Sequence, residues 1–394
     1  MTTLQENLDA AATTEAAAEP ESNALPDALR RAGAPLSETT RSLLDLMQDE
    51  FPLVPRPYEA LGKRLGLTEA QTLQHLAEAR AAGVVRQICA IFDTKALGYS
   101  SALVAMRIAP EQLKRAVAVV NAHPGVSHNY RRNHDFNLWF TVAMPPGHDL
   151  DEVIQKLHVL TGAESTRPMP TLHLFKIAVT LDMTGTRDLQ ARGEPEYTQE
   201  RRHEAARHMV NDEDIAYIRA TQGDLQDIPE PFAPIARELG WSVERVLEHG
   251  RTMIERGHLR RFAGIINHRQ AGFRANGMAV WNVPAERIQG FGQFVAGYRG
   301  VSHCYQRPTY PDWPYSVFSM LHHPKVAGVE ESAAAISRET GIEDYRVLYS
   351  TTEYKKIRLP YFIPEYERWE ALCAAAALAP VVPEQAERPE EVLA

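Results

Sequence analysis

The sequence predicts an α+β protein that is one module written twice. Each copy is a winged helix-turn-helix followed by a ferredoxin-like βαββαβ domain, and the copies form a pseudo-dimer within one chain. Three observations predict this. The tract Gly125-Val126-Ser127-His128-Asn129-Tyr130-Arg131-Arg132 returns as Gly300-Val301-Ser302-His303-Cys304-Tyr305-Gln306-Arg307. Gly83-Val84-Val85-Arg86 returns as Gly257-His258-Leu259-Arg260, and Gly98 returns as Gly272. Around these markers both halves show the same succession of helical and strand-like patterns, and self-similarity of this kind marks a repeated structural unit.

The elements follow in order. Ser37 or Thr39 caps a first helix carrying Leu43, Leu44 and Met47. Pro57 fits the first turn of a second, with Leu61 and Leu65 on its apolar side. Thr68 and Gln71 form a variant capping box for a third, which Gly83 ends. Val84–Phe92 then resembles a β-wing. The second half repeats this: a helix from Asp212, one from Pro231 to Gly240, one from Ser242 to Gly257, and a wing over His258–Asn267. Downstream, the expected order is strand, helix, strand, strand, helix, strand. In the first half these span 99–108, 110–122, 126–133, 136–144, 149–161 and 171–181. In the second they span 275–283, 285–296, 300–307, 315–322, 325–339 and 343–357. Two such sheets pack face to face and leave a cleft between them.

The expected boundaries are a disordered leader over 1–36, winged helix-turn-helix domains over 37–95 and 209–270, and ferredoxin-like domains over 96–183 and 271–363. A linker covers 184–208 and a C-terminal tail 364–394.

Composition narrows the class. Hydrophobic residues make up 44%, enough for ordinary cores, and the formal net charge of -9 offers no global field for nucleic acid or an anionic membrane. The 3 cysteines include no C-x-x-C pair, so neither a disulfide framework nor a zinc–cysteine site is expected. Without a basic and apolar leader or a long apolar run, a cytoplasmic protein with no membrane association is expected. The third helix of each half would be the DNA-reading one. Arg80 faces Glu69 and Glu78 in the first; Arg245, Arg251 and Arg256 are balanced by Glu244, Glu248 and Glu255 in the second. DNA affinity rests on phosphate contacts from surplus cations, so no DNA partner is expected.

The repeated tract carries the candidate chemistry. His128, Tyr130 and Arg132 alternate along a strand and share one face, as do His303, Tyr305 and Arg307. Arg86 lies on the first wing; Arg260, Arg261 and His268 lie on or just after the second. Arginine captures carboxylates bidentately, so a cationic group in an acidic protein points to a polyanionic small ligand. Trp139, Phe140, Trp313, Tyr315 and Phe318 divide between core packing and the wall of a flat ligand. No fingerprint of a protein-held metal or nucleotide cofactor is present.

The His-x-Tyr-x-Arg pair, Asn137-Leu138-Trp139-Phe140-Thr141, Leu259-Arg260-Arg261-Phe262, His268-Arg269 with Gly272-Phe273, and Trp313–His322 together resemble the sirohaem decarboxylases in their fused form. That family has the architecture of the Lrp/AsnC regulators. The resemblance covers roughly residues 37–363. It implies loss of two acetate carboxyls from sirohaem as carbon dioxide, giving 12,18-didecarboxysirohaem for haem d1 biosynthesis. It implies no added cofactor and no protein-held metal, since the iron belongs to the substrate. His128, His303, Tyr130 and Tyr305 would be catalytic. Arg132, Arg307, Arg260, Arg261, Arg86, His268, Trp313 and Tyr315 would bind substrate. A homodimer of the fused chain is a further expectation by analogy. The alternative is a ligand-sensing regulator of the Lrp/AsnC type. The copies differ at Cys304 against Asn129, at His268 against Thr94, and by an insert at Pro308–Pro311.

Overall fold

The computed structural model describes residues 36–49, 51–177, 208–267, 275–298, 300–323 and 325–375. The first half opens with α1 (Glu38–Asp49), α2 (Pro57–Leu65) and α3 (Glu69–Ala81), then the wing strand β1 (Val85–Phe92). Thr68 and Gln71 make the expected reciprocal capping box, and Gly66 ends α2 in the left-handed region that glycine tolerates. The sheet domain follows as β2 (Ser100–Arg107), α4 (Leu113–Ala122), β3 (Val126–Arg132), β4 (Leu138–Met144), α5 (Leu150–Thr161), β5 (Ser165–Pro170) and β6 (His173–Ile177). The second half repeats it with α6 (Asp212–Thr221), α7 (Phe232–Leu239), α8 (Val243–Glu255) and β7 (Leu259–Ile266). Then come β8 (Ala275–Trp281), α9 (Ile288–Ala296), β9 (Val301–Gln306), β10 (Val317–His323), α10 (Val326–Thr340) and β11 (Tyr345–Lys356).

The two halves are joined by pairing that the sequence did not reveal. Among the described residues neither wing strand has a partner in its own half, and β1 and β7 pair with each other antiparallel, Cys89 opposite Ala263. The other strands run in the order β5-β2-β4-β3-β11-β8-β10-β9-β6. Within it lie two ferredoxin-like sheets, β5-β2-β4-β3 and β11-β8-β10-β9. Tyr345–Tyr349 of β11 pair with β8, and Ser350–Lys356 cross to β3 of the first half. In return, β6 pairs with β9 of the second half. Each half thus lends the end of its last strand to the other, which satisfies edge groups that would otherwise stay unpaired. The two ends of the strand order, β5 and β6, are separated only by Thr171 and Leu172, so the array curls back on itself.

The expected strand over 171–181 begins earlier than predicted and is interrupted. Pro168 and Pro170 argue against a strand from sequence, yet β5 is an end strand of the order, where a missing N–H is tolerated. The linker expected over 184–208 lies outside the described residues except for His208. The C-terminal tail also departs from expectation. Glu365–Ala375 form helix α11, whose Tyr366, Trp369 and Cys373 are buried against the first half.

The space between the sheets is packed at one end. Ala105, Phe136, Trp139 and Met169 of the first half meet Met278, Val280, Trp313, Tyr315, Phe318 and Leu348 of the second. Trp313 is fully buried, with its ring centroid 5.2 Å from that of Trp139 and 5.9 Å from that of Phe136. The insert over Pro308–Pro311 leads into this ring: Tyr310 and Trp313 form a small bridge, and Arg167 holds Asp312 through two bonds of 2.9 and 3.0 Å. Trp313 and Tyr315 are therefore core residues, not the open wall expected for a ligand. Trp313→Ala should cost about 3–5 kcal/mol of stability in denaturant titration, the usual range for a buried Trp. A loss of ligand affinity with unchanged stability would contradict this placement.

Candidate active site

The two rows form as alternation predicts. The His128 and Tyr130 rings lie 6.1 Å apart, and Arg132 stands 5.8 Å over Tyr130 and 5.9 Å over Trp139. The copy matches: His303 to Tyr305 is 5.9 Å, and Arg307 stands 4.9 Å over Tyr305 and 5.5 Å over Phe318. Since Trp139 and Phe318 belong to the packed core between the sheets, both rows face that space. The arginines mark its packed end and the histidines the other.

At the arginine end the rows are committed to structure. Arg132 Nη1 donates to the Leu348 carbonyl at 3.0 Å, and Arg307 Nη1 donates to the Met169 carbonyl. Arg132 thus holds β11 and Arg307 holds β5, each a strand of the other half. Burial pulls both guanidinium groups down to about 10. Their Nε atoms are buried and have no hydrogen-bond partner among the described residues.

The wing arginines hold the histidine end. Arg86 Nη2 donates to the Lys356 carbonyl at 2.9 Å, and Arg260 Nη2 donates to the Ile177 carbonyl at 3.3 Å. Those carbonyls terminate the exchanged strands, and the same residues are the register partners of His128 and His303. Each candidate histidine therefore sits where a wing, an exchanged strand and its own strand converge. Arg261 follows on β7 opposite Ile91, with a buried Nε unpartnered among the described residues. His268 lies outside the described residues. Its counterpart Thr94 bonds the Tyr361 hydroxyl at 2.8 Å.

Sequence reasoning missed three contributors. Lys356, half-buried at the end of β11, has no counterpart in the repeated tract. Ser127 Oγ lies 2.9 Å from His128 Nδ1, and Ser302 Oγ lies 2.7 Å from His303 Nδ1. The serines were visible within the repeat, but a β-bulge is what turns them toward the histidines, with a register shift beside each. The Cys304 and Asn129 difference, by contrast, falls on the opposite side. Cys304 packs under α9 with Sγ 3.8 Å from the Gly292 carbonyl, and Asn129 bonds Asn121 at 2.9 Å.

The electrostatics are those of an anion site. Burial first, then Lys356 and Arg86, push His128 down to about 4. Burial, His322, Arg260, His128 and Arg307 push His303 down to about 3. His128 thus adds to the charge that His303 feels from the other half. Both imidazoles keep some accessible surface although desolvation dominates, as expected for side chains lining a recess. Among the described residues no group of three His, Cys, Asp or Glu is disposed to hold a metal ion, and no helix is long and apolar enough to cross a membrane.

Comparison with known proteins accounts for this arrangement. A profile described as "AsnC-like ligand binding domain" matches residues 96–176 and 270–355, and one described as "Siroheme decarboxylase NirDL-like HTH domain" matches residues 40–86 and 214–260. The siroheme decarboxylase of Hydrogenobacter thermophilus is 38% identical over 328 residues, 83% of this chain and 96% of its own. The chain belongs to the siroheme decarboxylase family. A crystal structure of the siroheme decarboxylase NirDL superposes with a TM-score of 0.68 at 33% identity, covering 86% of this chain and 99% of that one. The siroheme decarboxylase beta subunit of Methanosarcina barkeri, 41% identical, spans 36% of this chain and 94% of its own length, the size of one module.

The arginines of the third helix in each half are ion-paired. Arg80 is held by Asp224 at 2.9 Å and Asp227 at 2.6 Å, both from the other half. Arg245 pairs with Glu213 at 2.7 Å, Arg251 with Glu248 at 2.9 Å and Arg256 with Asp214 at 3.7 Å.

The histidines set a pH dependence. His123, His128 and His303 all have folded values depressed from 6.5, to about 3, about 4 and about 3. The unfolded chain then binds more protons, so their contribution is fully present above 6.5 and is lost as pH falls toward the folded values. The melting temperature of the ligand-free protein should fall between pH about 6.5 and about 5, above the carboxylate range. A bound polycarboxylate should reduce that fall; a flat profile would contradict the assignment.

Proposed function

We propose that the chain decarboxylates sirohaem, removing the two acetate carboxyls as carbon dioxide to give 12,18-didecarboxysirohaem for haem d1 biosynthesis in the cytoplasm. The observation that carries the reading is the paired His128 and His303, flanked by Arg86, Arg260 and Lys356, in a chain 38% identical to a siroheme decarboxylase across most of its length. A related crystal structure, 32% identical with a TM-score of 0.67, is described as a co-complex with an iron-uroporphyrin III analogue, a molecule of comparable size and charge. Because both rows face the same space between the sheets, one tetrapyrrole is shared by both halves of each chain.

The chemistry asks for three things. The bond between the acetate methylene and its carboxylate must break, the electron pair must pass into the conjugated macrocycle, and the methylene carbon must gain a proton. Arg86, Arg260, Arg261 and Lys356 hold the substrate's carboxylates, and the Nε edges of Arg132 and Arg307 face the row's inner end. Burial of the reacting carboxylate favours loss of its charge as neutral carbon dioxide. His128 and His303 deliver the proton, with Tyr130 and Tyr305 orienting the ring beside them. Held neutral at ordinary pH, the imidazoles donate N–H and do not repel cationic neighbours. The iron is part of the substrate, and the chain supplies no cofactor.

Anaerobic incubation of the pure protein with sirohaem should give stepwise mass losses of two carbon dioxide molecules without added cofactor. Intact sirohaem after binding to a folded sample would contradict the activity. His128→Ala and His303→Ala should still bind and turn over slowly, by about a hundredfold or more, the scale of general acid catalysis. A non-catalytic carrier would lose affinity instead. Arg86→Ala and Arg260→Ala should each weaken sirohaem binding by about tenfold in a spectroscopic titration, as loss of one charge-assisted bond implies.

A further inference from the structure

The two histidine rows are alike, but what stands behind them is not. In the second half Ser302 Oγ bridges two imidazoles, 2.7 Å from His303 Nδ1 and 2.6 Å from His322 Nε2. In the first half Ser127 Oγ meets His128 Nδ1 at 2.9 Å, and the chain of groups ends there. The reason is one substitution. The His322 N–H donates to the Gly300 carbonyl at 3.0 Å, as the Ala143 N–H donates to the Gly125 carbonyl at 2.9 Å, so Ala143 is the counterpart of His322. An alanine side chain cannot carry a proton.

His322 also reaches a second space. It lines a cavity of about 210 Å³ together with Tyr298, Gly300, His323, Ser332 and Glu339. That cavity lies at the end of β10 beside α10, apart from the packed aromatic core between the sheets. Ser302 itself is buried, so its hydroxyl is positioned by the two imidazoles and not by bulk water.

We propose that Ser302 and His322 form a proton relay that keeps His303 neutral as it donates, and that among the described residues only the second half has one. The relay rests on the decarboxylation proposed above. Neutral His303 gives its Nε2 proton to the methylene carbon left by carbon dioxide. Its Nδ1 takes the Ser302 hydroxyl proton, and Ser302 takes the Nε2 proton of His322. His322 recovers a proton at Nδ1 from water in the cavity. Each group ends neutral, with both imidazoles in the opposite tautomer, one solvent proton enters, and one C–H bond replaces the broken C–C bond. The relay then resets as His303 Nε2 takes a proton from water and one proton passes back through Ser302 and His322 to the cavity. No imidazolium is required, which suits a site crowded with Arg260, Arg307 and Lys356. Neither Ser302 nor His322 touches substrate; both act through His303. The two halves thereby become unequal: the second balances the proton it gives from its own cavity during the step, and His128 has no such route among the described residues.

The test is single-turnover decarboxylation by the full-length chain without oxygen, with binding followed by absorption and product by mass. His322→Ala and Ser302→Ala should bind sirohaem as the parent does and form product about tenfold to a hundredfold more slowly, no larger than the loss of a general acid itself. Adding 2-methylimidazole, whose methyl group hinders binding to iron, should restore His322→Ala and leave Ser302→Ala slow. A packing defect would not give that pattern. Parental rates in both variants, or a slow His322→Ala that the added base does not restore, overturn the relay and leave the decarboxylation standing. Should either variant fail to bind sirohaem, the parent chain decides. Its rate in mixtures of water and deuterium oxide should curve with deuterium fraction, because several protons move together; a straight line, or no dependence, overturns the relay. A parent chain that binds sirohaem and leaves it intact removes the decarboxylation and the relay together.

Discussion

Strand β11 belongs to two sheets. Tyr345–Tyr349 close the second half's sheet against β8, and Ser350–Lys356 continue into the first half against β3. β6 makes the reciprocal crossing to β9. Backbone hydrogen bonding drives the exchange, because β3 and β9 would otherwise be edges with unmet donors and acceptors. The exchange also fixes where everything else stands. It brings Lys356 beside His128 and Ile177 beside His303, and it presents the carbonyls that Arg86 and Arg260 hold. Without it the two rows would have neither their neighbours nor a common space.

The space so formed is unequal along its length. One end is dry, filled by Trp139, Trp313, Phe136 and Phe318. The other end concentrates positive charge in a protein of net charge -9. Concentrated like charge is unfavourable alone, and the molecule lowers its cost by keeping the imidazoles neutral. A ligand with several carboxylates removes the rest of that cost on binding. Depressed histidines and unpartnered arginine edges thus fit the polyanionic substrate proposed above.

Much of this was legible in the sequence. The doubled tract gave the duplication, and strand alternation placed His128, Tyr130 and Arg132 on one face, with their copies. The charge balance of α3 and α8 was legible too, and Arg80 is bound by Asp224 and Asp227. The rest depends on contacts between distant segments. Nothing local in β11 says that its end leaves its own sheet, so Lys356 could not be assigned. Trp313 looked like a ligand wall because an aromatic on a loop gives no sign of what covers it. Ser302 and His322 meet through a bulge and a strand pairing that only the register reveals. Cys304 drew attention as a difference between copies, yet it faces α9 and away from the row.

Duplication within one chain lets the copies diverge without losing their match. Here the divergence lies behind the histidines, in His322 against Ala143, and in the insert that seals the aromatic end. The central claim is that both rows serve one ligand lying in the space between them. The most direct test is the binding stoichiometry of sirohaem on the full-length chain, titrated anaerobically at concentrations well above the dissociation constant. Saturation at one sirohaem per chain is the predicted result. Saturation at two, one in each half, would contradict a shared site.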